Sequence, residues 1–244
     1  MINRRFVTQG LLASLATGLS SCGGGLMSGG SGPAAGDGGT KSWSQGFGNQ
    51  YGDSGVNVRK KRTTPATVAE LMAPGPMKEM ALGNPSAKVT MIEYFSPTCP
   101  VCHRFHKATF PTFKRRYIDT GKVHFIARPF PIGHSSGNAA VIIRCDESKF
   151  FKLMQAYLLQ QSRWVSLEVR LDKIYAIAAP YGMSRDKFNA CLADKTLVAN
   201  MKKIKERGRD LGVIGTPTFF INGKQLRGAL TMAQLQAEID PLLV

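Results

Sequence analysis

Apolar and polar positions change period several times along residues 77–244, and each change marks an element. Residues 88–95, KVTMIEYF, are almost continuously apolar, as expected of a central strand buried on both faces. Lys78–Leu82 can form a short strand before it, separated by the turn Gly83-Asn84-Pro85. Ser96-Pro97-Thr98 breaks the long run. A helix then starts with Pro100 in its first turn, where a missing N–H costs nothing, and Pro111 should kink or end it. Lys122–Ala127 reads as the next strand, closed by Pro129 and Pro131. From about 136 to 212 the apolar spacing becomes helical, over Ala139–Arg144, Lys149–Gln161 and Leu167–Ala179. Ser184 caps a further helix carrying Phe188 and Leu192 on one face, and a basic helix with a solvated charged face follows at Leu197–Leu211. Thr218–Asn222, the turn Asn222-Gly223 and Leu226–Leu230 predict a hairpin. Thr231-Met232-Ala233-Gln234 is a capping box opening the last helix. The order of elements predicts an α/β domain with a helical insertion at about 136–212, and no internal repeat is present.

The first third of the chain has no such pattern. Residues 23–40 contain nine glycines, and Ser, Gly and Asn remain common to about residue 55. Such composition cannot bury a core, so 23–76 reads as a flexible tether with a reach on the order of 40 Å and the folded domain as 77–244. Before it, Asn3-Arg4-Arg5 and the apolar stretch 6–21 read as an export signal over 1–22, too short for a confident membrane span. Leu19-Ser20-Ser21-Cys22 resembles a bacterial lipobox, which predicts lipidation of Cys22 and a membrane anchor; an ordinary cleaved signal and an uncleaved anchor are the alternatives. Arg4-Arg5-Phe6 matches a twin-arginine signal poorly. The formal net charge of +16 would suit nucleic acid, but export argues against that partner and for anionic lipid head groups or other surface polyanions. The densest basic run, Arg59-Lys60-Lys61-Arg62, reads as a solvated part of the tether.

Cysteine placement carries the chemistry. There are five, an odd number, and Cys22 has the separate fate that an odd count requires. Export permits disulfides among the others. Cys99-Pro100-Val101-Cys102 sits where a strand runs into a helix. The helix N-terminus lowers the first thiol's pKa, so Cys99 is expected to attack or be attacked. Cys102, one turn in and more buried, is expected to resolve the mixed disulfide. Pro100 and Val101 set local donors and rigidity. Glu93 lies six residues before Cys99 in a strand suited to burial, a costly place for an acid unless it is used or paired. It is read as a proton carrier for Cys102, the alternative being an outward-facing side chain at a strand edge. Pro217 of Gly215-Thr216-Pro217-Thr218 is expected in cis, which rests on context, with Thr216 presenting its backbone to an extended substrate segment near Cys99.

Taken together, Glu93-Tyr94-Phe95-Ser96, Cys99-Pro100-Val101-Cys102 with Phe105 and His106 beyond, and Gly215-Thr216-Pro217-Thr218-Phe219-Phe220-Ile221-Asn222-Gly223 resemble the DsbA family of thiol–disulfide oxidoreductases. The resemblance spans roughly 77–244 and implies a thioredoxin-like fold with a helical insertion. It also implies periplasmic disulfide donation to newly exported cysteine-containing proteins, with recharging by a membrane redox partner. Two positions depart from the family: Pro-Val stands where many members carry Pro-His, and Thr216 stands where the best-known strong oxidants carry an aliphatic residue. Both tune redox poise, so a reductase or isomerase serving a dedicated partner stays open. Members from some bacteria have a second disulfide in the insertion, which implies pairing of Cys145 with Cys191; two buried free thiols are the alternative.

Three other readings compete. Cys99-Pro100-Val101-Cys102-His103 matches the C-x-x-C-H pattern of c-type haem attachment, but the motif follows a buried strand and the Thr-Pro hairpin would go unexplained. Cys99, Cys102, His103 and His106 are too closely spaced for a structural zinc site. A binding lipoprotein without catalysis would not need both an intact cysteine pair and an intact Thr-Pro loop. No cofactor or metal is therefore expected. His103 and His106 read as helix surface near the site, and His124 and His134 as structural.

Overall fold

The computed structural model describes residues 64–244. The export signal expected over 1–22 with Cys22, the run Arg59–Arg62 and the part of the expected tether up to residue 63 lie outside the described residues. Five strands form one sheet in the order β1-β3-β2-β4-β5: β1 is Ala81–Leu82, β2 Val89–Phe95, β3 Val123–Pro129, β4 Thr218–Ile221 and β5 Lys224–Arg227. Only β2 and β3 pair in parallel; β1 lies antiparallel on β3, β4 on β2, and β5 on β4. The apolar run 88–95 is thus the central strand, covered on both faces.

Alternation along β2 assigns its side chains to two cores. Val89, Met91 and Phe95 face the larger one, while Ile92 and Tyr94 face the smaller. The larger core is built by α2 (Pro100–Ala108), the helical turn α3 (Phe110–Phe113), and the helical block α4 (His134–Cys145), α5 (Phe150–Leu159), α6 (Gln161–Trp164), α7 (Leu171–Ala178) and α8 (Arg185–Ala193). The first half of α9 (Lys195–Asp210) and the last helix α10 (Met232–Ile239) complete it. Toward its C-terminus α9 reaches the smaller core, where Leu211 and Val213 join Tyr94 and Phe130. Gly208 permits that approach: a Cβ there would lie 2.9 Å from the Tyr94 ring.

Most turns follow from local chemistry. Ser184 Oγ accepts from the Lys187 N–H, and Thr231 with Gln234 forms the capping box reciprocally. Asn222 and Gly223 both take positive φ (42° and 95°), as a two-residue hairpin turn of the primed type requires. That turn is so tight that β5 resumes at Lys224, earlier than the expected Leu226. The expected first strand shortens to Ala81–Leu82.

The expected start of the folded domain near Met77 needs correction. A short helix, α1 (Val68–Met72), is capped by Thr67 and Glu70 and buries Leu71, with Ala66 also in the core. The buried Arg128 guanidinium donates to the Leu71 carbonyl at 2.8 Å, and Arg207 donates to it at 3.0 Å. Residues 66–72 therefore belong to the fold, anchored by arginines far away in sequence. Cys145 and Cys191, 46 residues apart, are joined as a disulfide between α4 and α8 with Cα atoms 5.9 Å apart. Among the described residues no helix is long and apolar enough to cross a membrane.

Candidate active site

The site forms where β2 ends. Ser96 accepts from the Cys99 N–H (3.0 Å), closing the turn Ser96–Cys99, and Cys99 occupies the N-cap of α2 with extended backbone. Pro100 follows in the first turn of α2, exposed, and Val101 is half-buried. The loop is held from two sides: Ser96 Oγ lies 2.7 Å from Ser136 Oγ of α4, and Gln161 Nε2 of α6 donates to the carbonyls of Pro97 (2.8 Å) and Cys99 (3.0 Å). The helical block thus fixes the reactive loop as well as enlarging the core.

Cys99 and Cys102 are both free thiols, with opposite surroundings. Cys99 is half-buried and Cys102 fully buried. The Cys102 thiol, hydrogen-bonded to Cys99, lowers the Cys99 pKa to about 5; Thr216 and the N–H groups of Cys102 and Val101 at the start of α2 add to this, while partial burial opposes it. Burial pushes the Cys102 thiol well up, and its hydrogen bond to Cys99 and the nearby Glu93 carboxylate push it further. One sulfur is therefore a ready thiolate and the other holds its proton.

Across from Cys99 stands the Thr216–Pro217 bond, which is cis. Cys99 Sγ donates to the Thr216 carbonyl at 3.1 Å. Thr216 Oγ1 is buried and has no partner while Cys99 keeps its proton, so it can donate to the sulfur once that becomes a thiolate. Thr218 Oγ1 donates to the Gly215 carbonyl (2.7 Å), tying the loop to β4.

Glu93 is on the central strand and completely buried, flanked by Ala127 on β3 and Phe219 on β4, so the edge-facing alternative does not hold. Its carboxylate meets His106 Nε2 at 3.0 and 2.9 Å. His106 therefore does not lie on the helix surface: it is completely buried, one turn after Cys102 on the same face of α2, with its Nδ1 2.7 Å from Gln155 Nε2 of α5. His103 is half-buried, His124 half-buried on β3, and His134 exposed at the start of α4. The structure brings together Glu93, Cys99, Cys102, Thr216 and Pro217, and it adds His106, Gln155 and Gln161. The spacing Cys102, Phe105, His106 (i, i+3, i+4) was the available clue for His106. Gln155 and Gln161 gave none, because their partners lie 49 to 64 residues away.

Comparison with known proteins agrees with this geometry. The thioredoxin family model matches residues 76–241. A protein of Rickettsia bellii named for protein-disulfide oxidoreductase activity is 33% identical over 168 residues, covering 66% of this chain and 63% of that protein. A similarly named protein of Rickettsia typhi is 36% identical over 153 residues, covering 60% and 56%. The chain thus spans less than two thirds of the length of these curated relatives. The crystal structure of Wolbachia pipientis alpha-DsbA1 is similar with a TM-score of 0.67 and 32% identity, over 72% of this chain and 96% of that one. BdbD from Bacillus subtilis shares the fold at 21% identity, with a TM-score of 0.62. The strand-to-helix cysteine pair, the facing cis-proline loop and these similarities agree: the chain belongs to the thioredoxin family, among its DsbA-like thiol–disulfide oxidoreductases.

Proposed function

We propose that the protein is an exported thiol–disulfide oxidoreductase acting as a disulfide donor to cysteine-containing exported proteins. The observation that carries this is the unequal thiol pair: Cys99 lowered to about 5 beside a Cys102 held well above its ordinary value. A stabilised Cys99 thiolate favours the reduced protein, so the oxidised protein gives its disulfide away. A substrate thiolate attacks Cys99 Sγ, a new S–S bond forms, and Cys102 leaves with the electron pair and takes a proton. A second substrate thiolate then attacks the substrate sulfur, and Cys99 leaves as a thiolate. Glu93 exchanges the Cys102 proton, while Thr216 and Pro217 flank the incoming segment. The exposed Ile214, two residues before Thr216, offers that segment an apolar contact. A membrane redox partner then restores the disulfide, and lipidation of Cys22 would keep the chain at the periplasmic face of a membrane. Mass spectrometry of the exported protein tests the anchor: acyl mass on Cys22 is expected, and a mature terminus elsewhere rejects it.

Val101 and Thr216 support a second reading, a reductase or isomerase: both donate toward Cys99, Val101 through its N–H and Thr216 through its hydroxyl, and both depart from the family's usual residues. One experiment separates the two. Oxidised full-length protein is mixed with a reduced, unfolded four-disulfide protein, and thiol loss is followed by alkylation. Transfer of about one disulfide per chain is expected, abolished by Cys99→Ser. Failure to oxidise, with efficient reduction of insulin by the reduced chain, supports the second reading; inertness in both assays rejects exchange.

A further inference from the structure

Glu93 and His106 form a completely buried acid–imidazole pair, and the atoms around it set where its protons lie. Gln155 approaches His106 Nδ1 with its amide nitrogen, at 2.7 Å. An amide nitrogen can only donate, so Nδ1 accepts and the neutral ring's single proton is on Nε2. Nε2 points between the two oxygens of Glu93, at 3.0 and 2.9 Å, and its N–H is shared by both. That arrangement suits a carboxylate, since a carboxyl O–H would face the N–H with a donor. Apolar groups pack around the pair: the imidazole lies edge-on to Phe105 (5.2 Å between centroids) and against Phe110 (4.7 Å), and Ala127 and Phe219 flank Glu93 on the neighbouring strands. The titratable groups facing the pair are Cys102 and, through it, Cys99. Gln155 is half-buried in the middle of α5.

We propose that His106 and Gln155 are positioning residues that keep Glu93 a base: Gln155 fixes the imidazole tautomer, and the imidazole holds the carboxylate ready for the Cys102 proton. The inference rests on Glu93 being the proton acceptor of Cys102. The step it serves is closure of the disulfide. With Cys99 joined to a partner sulfur, the Cys102 S–H bond breaks and its proton passes to a Glu93 oxygen. The Cys102 electron pair forms the bond to Cys99 Sγ, and the partner sulfur leaves with the electron pair of the broken S–S bond. Glu93, now neutral, later releases the proton to water. Opening the disulfide runs the same transfer backwards.

Reduced full-length protein reacted with 5,5′-dithiobis(2-nitrobenzoate) tests this. The first release of thionitrobenzoate reports Cys99 attack, and the second, independent of reagent concentration, reports Cys102 closing the disulfide. His106→Leu should slow the second release by about 10- to 100-fold, up to the point where a positioned base's own contribution of about 100-fold begins, with Glu93→Gln slowing it at least as much. His106→Gln, which restores an N–H donor, should recover most of the rate. Slowing in Glu93→Gln with none in His106→Leu overturns the positioning role and leaves Glu93 as the base. Normal closure in both overturns the reading of Glu93 and with it this inference. Should His106→Leu fail to fold, nitrogen-15 spectra of the wild-type imidazole decide: an unprotonated Nδ1 that becomes protonated in Gln155→Glu is expected, and a protonated Nδ1 in the wild type refutes the tautomer lock.

Discussion

At the scale of single residues, the reactivity of Cys99 comes from donors gathered around one sulfur. Cys102 is the largest contributor and Thr216 the next among the side chains, with the first N–H groups of α2 behind them. Thr216→Val removes a hydroxyl that has no other partner in the thiol form, so the Cys99 pKa should rise. Titration of thiolate absorbance in the ultraviolet measures this, and a curve superimposing on the wild type would contradict the role given to Thr216. The same lowering predicts how stability depends on pH. Because the folded value, about 5, lies below the ordinary 9.0, the thiolate stabilises the folded reduced protein fully above about pH 9. That contribution shrinks as pH falls and is gone below about pH 5. Chemical denaturation of the reduced chain should therefore lose stability through this window more steeply than Cys99→Ser does; parallel profiles would show that the thiolate does not couple to folding.

At the scale of elements, the local signals were legible where one stretch of chain settles its own conformation. The β-rich apolar run 88–95 read as a buried strand, Pro100 announced the start of α2, and Asn222-Gly223 announced the hairpin. What local reading missed depends on distant partners. Thr67 and Glu70 form a capping box as good as that of Thr231 and Gln234, yet α1 has five residues and is held by Arg128 and Arg207 from β3 and α9. Isolated helices of that length are not stable, so its existence is a tertiary effect. His106 likewise looked like surface because the acid that buries it comes from another element. Gly208 shows the same dependence as a steric demand. Gly208→Ala would place a Cβ 2.9 to 3.1 Å from Tyr94 and Phe130, against helix propensity that favours alanine. Overpacking should win, with a loss of about 1–3 kcal/mol in denaturant titration. A stabilised variant would mean that α9 can move away from the sheet at no cost.

At the scale of the whole molecule, one sheet carries the reactive loop at the C-terminal end of its central strand, while the helical block buttresses that loop through Gln161 and Ser136. The Cys145–Cys191 link ties α4, which bears Ser136, to α8. Replacing both cysteines by serine should cost about 2–4 kcal/mol of stability, as for a loop of this size, while the Cys99–Cys102 pair still cycles. Unchanged stability, or two extra alkylatable thiols in the oxidised wild type, would contradict a bond there. The measurement that tests the account most directly is the redox equilibrium of the Cys99–Cys102 pair in the full-length chain against glutathione, read by alkylation and mass. The account predicts a pair that stays reduced until the buffer is strongly oxidising, as a disulfide donor requires. A pair that stays oxidised even in reducing buffer would contradict it.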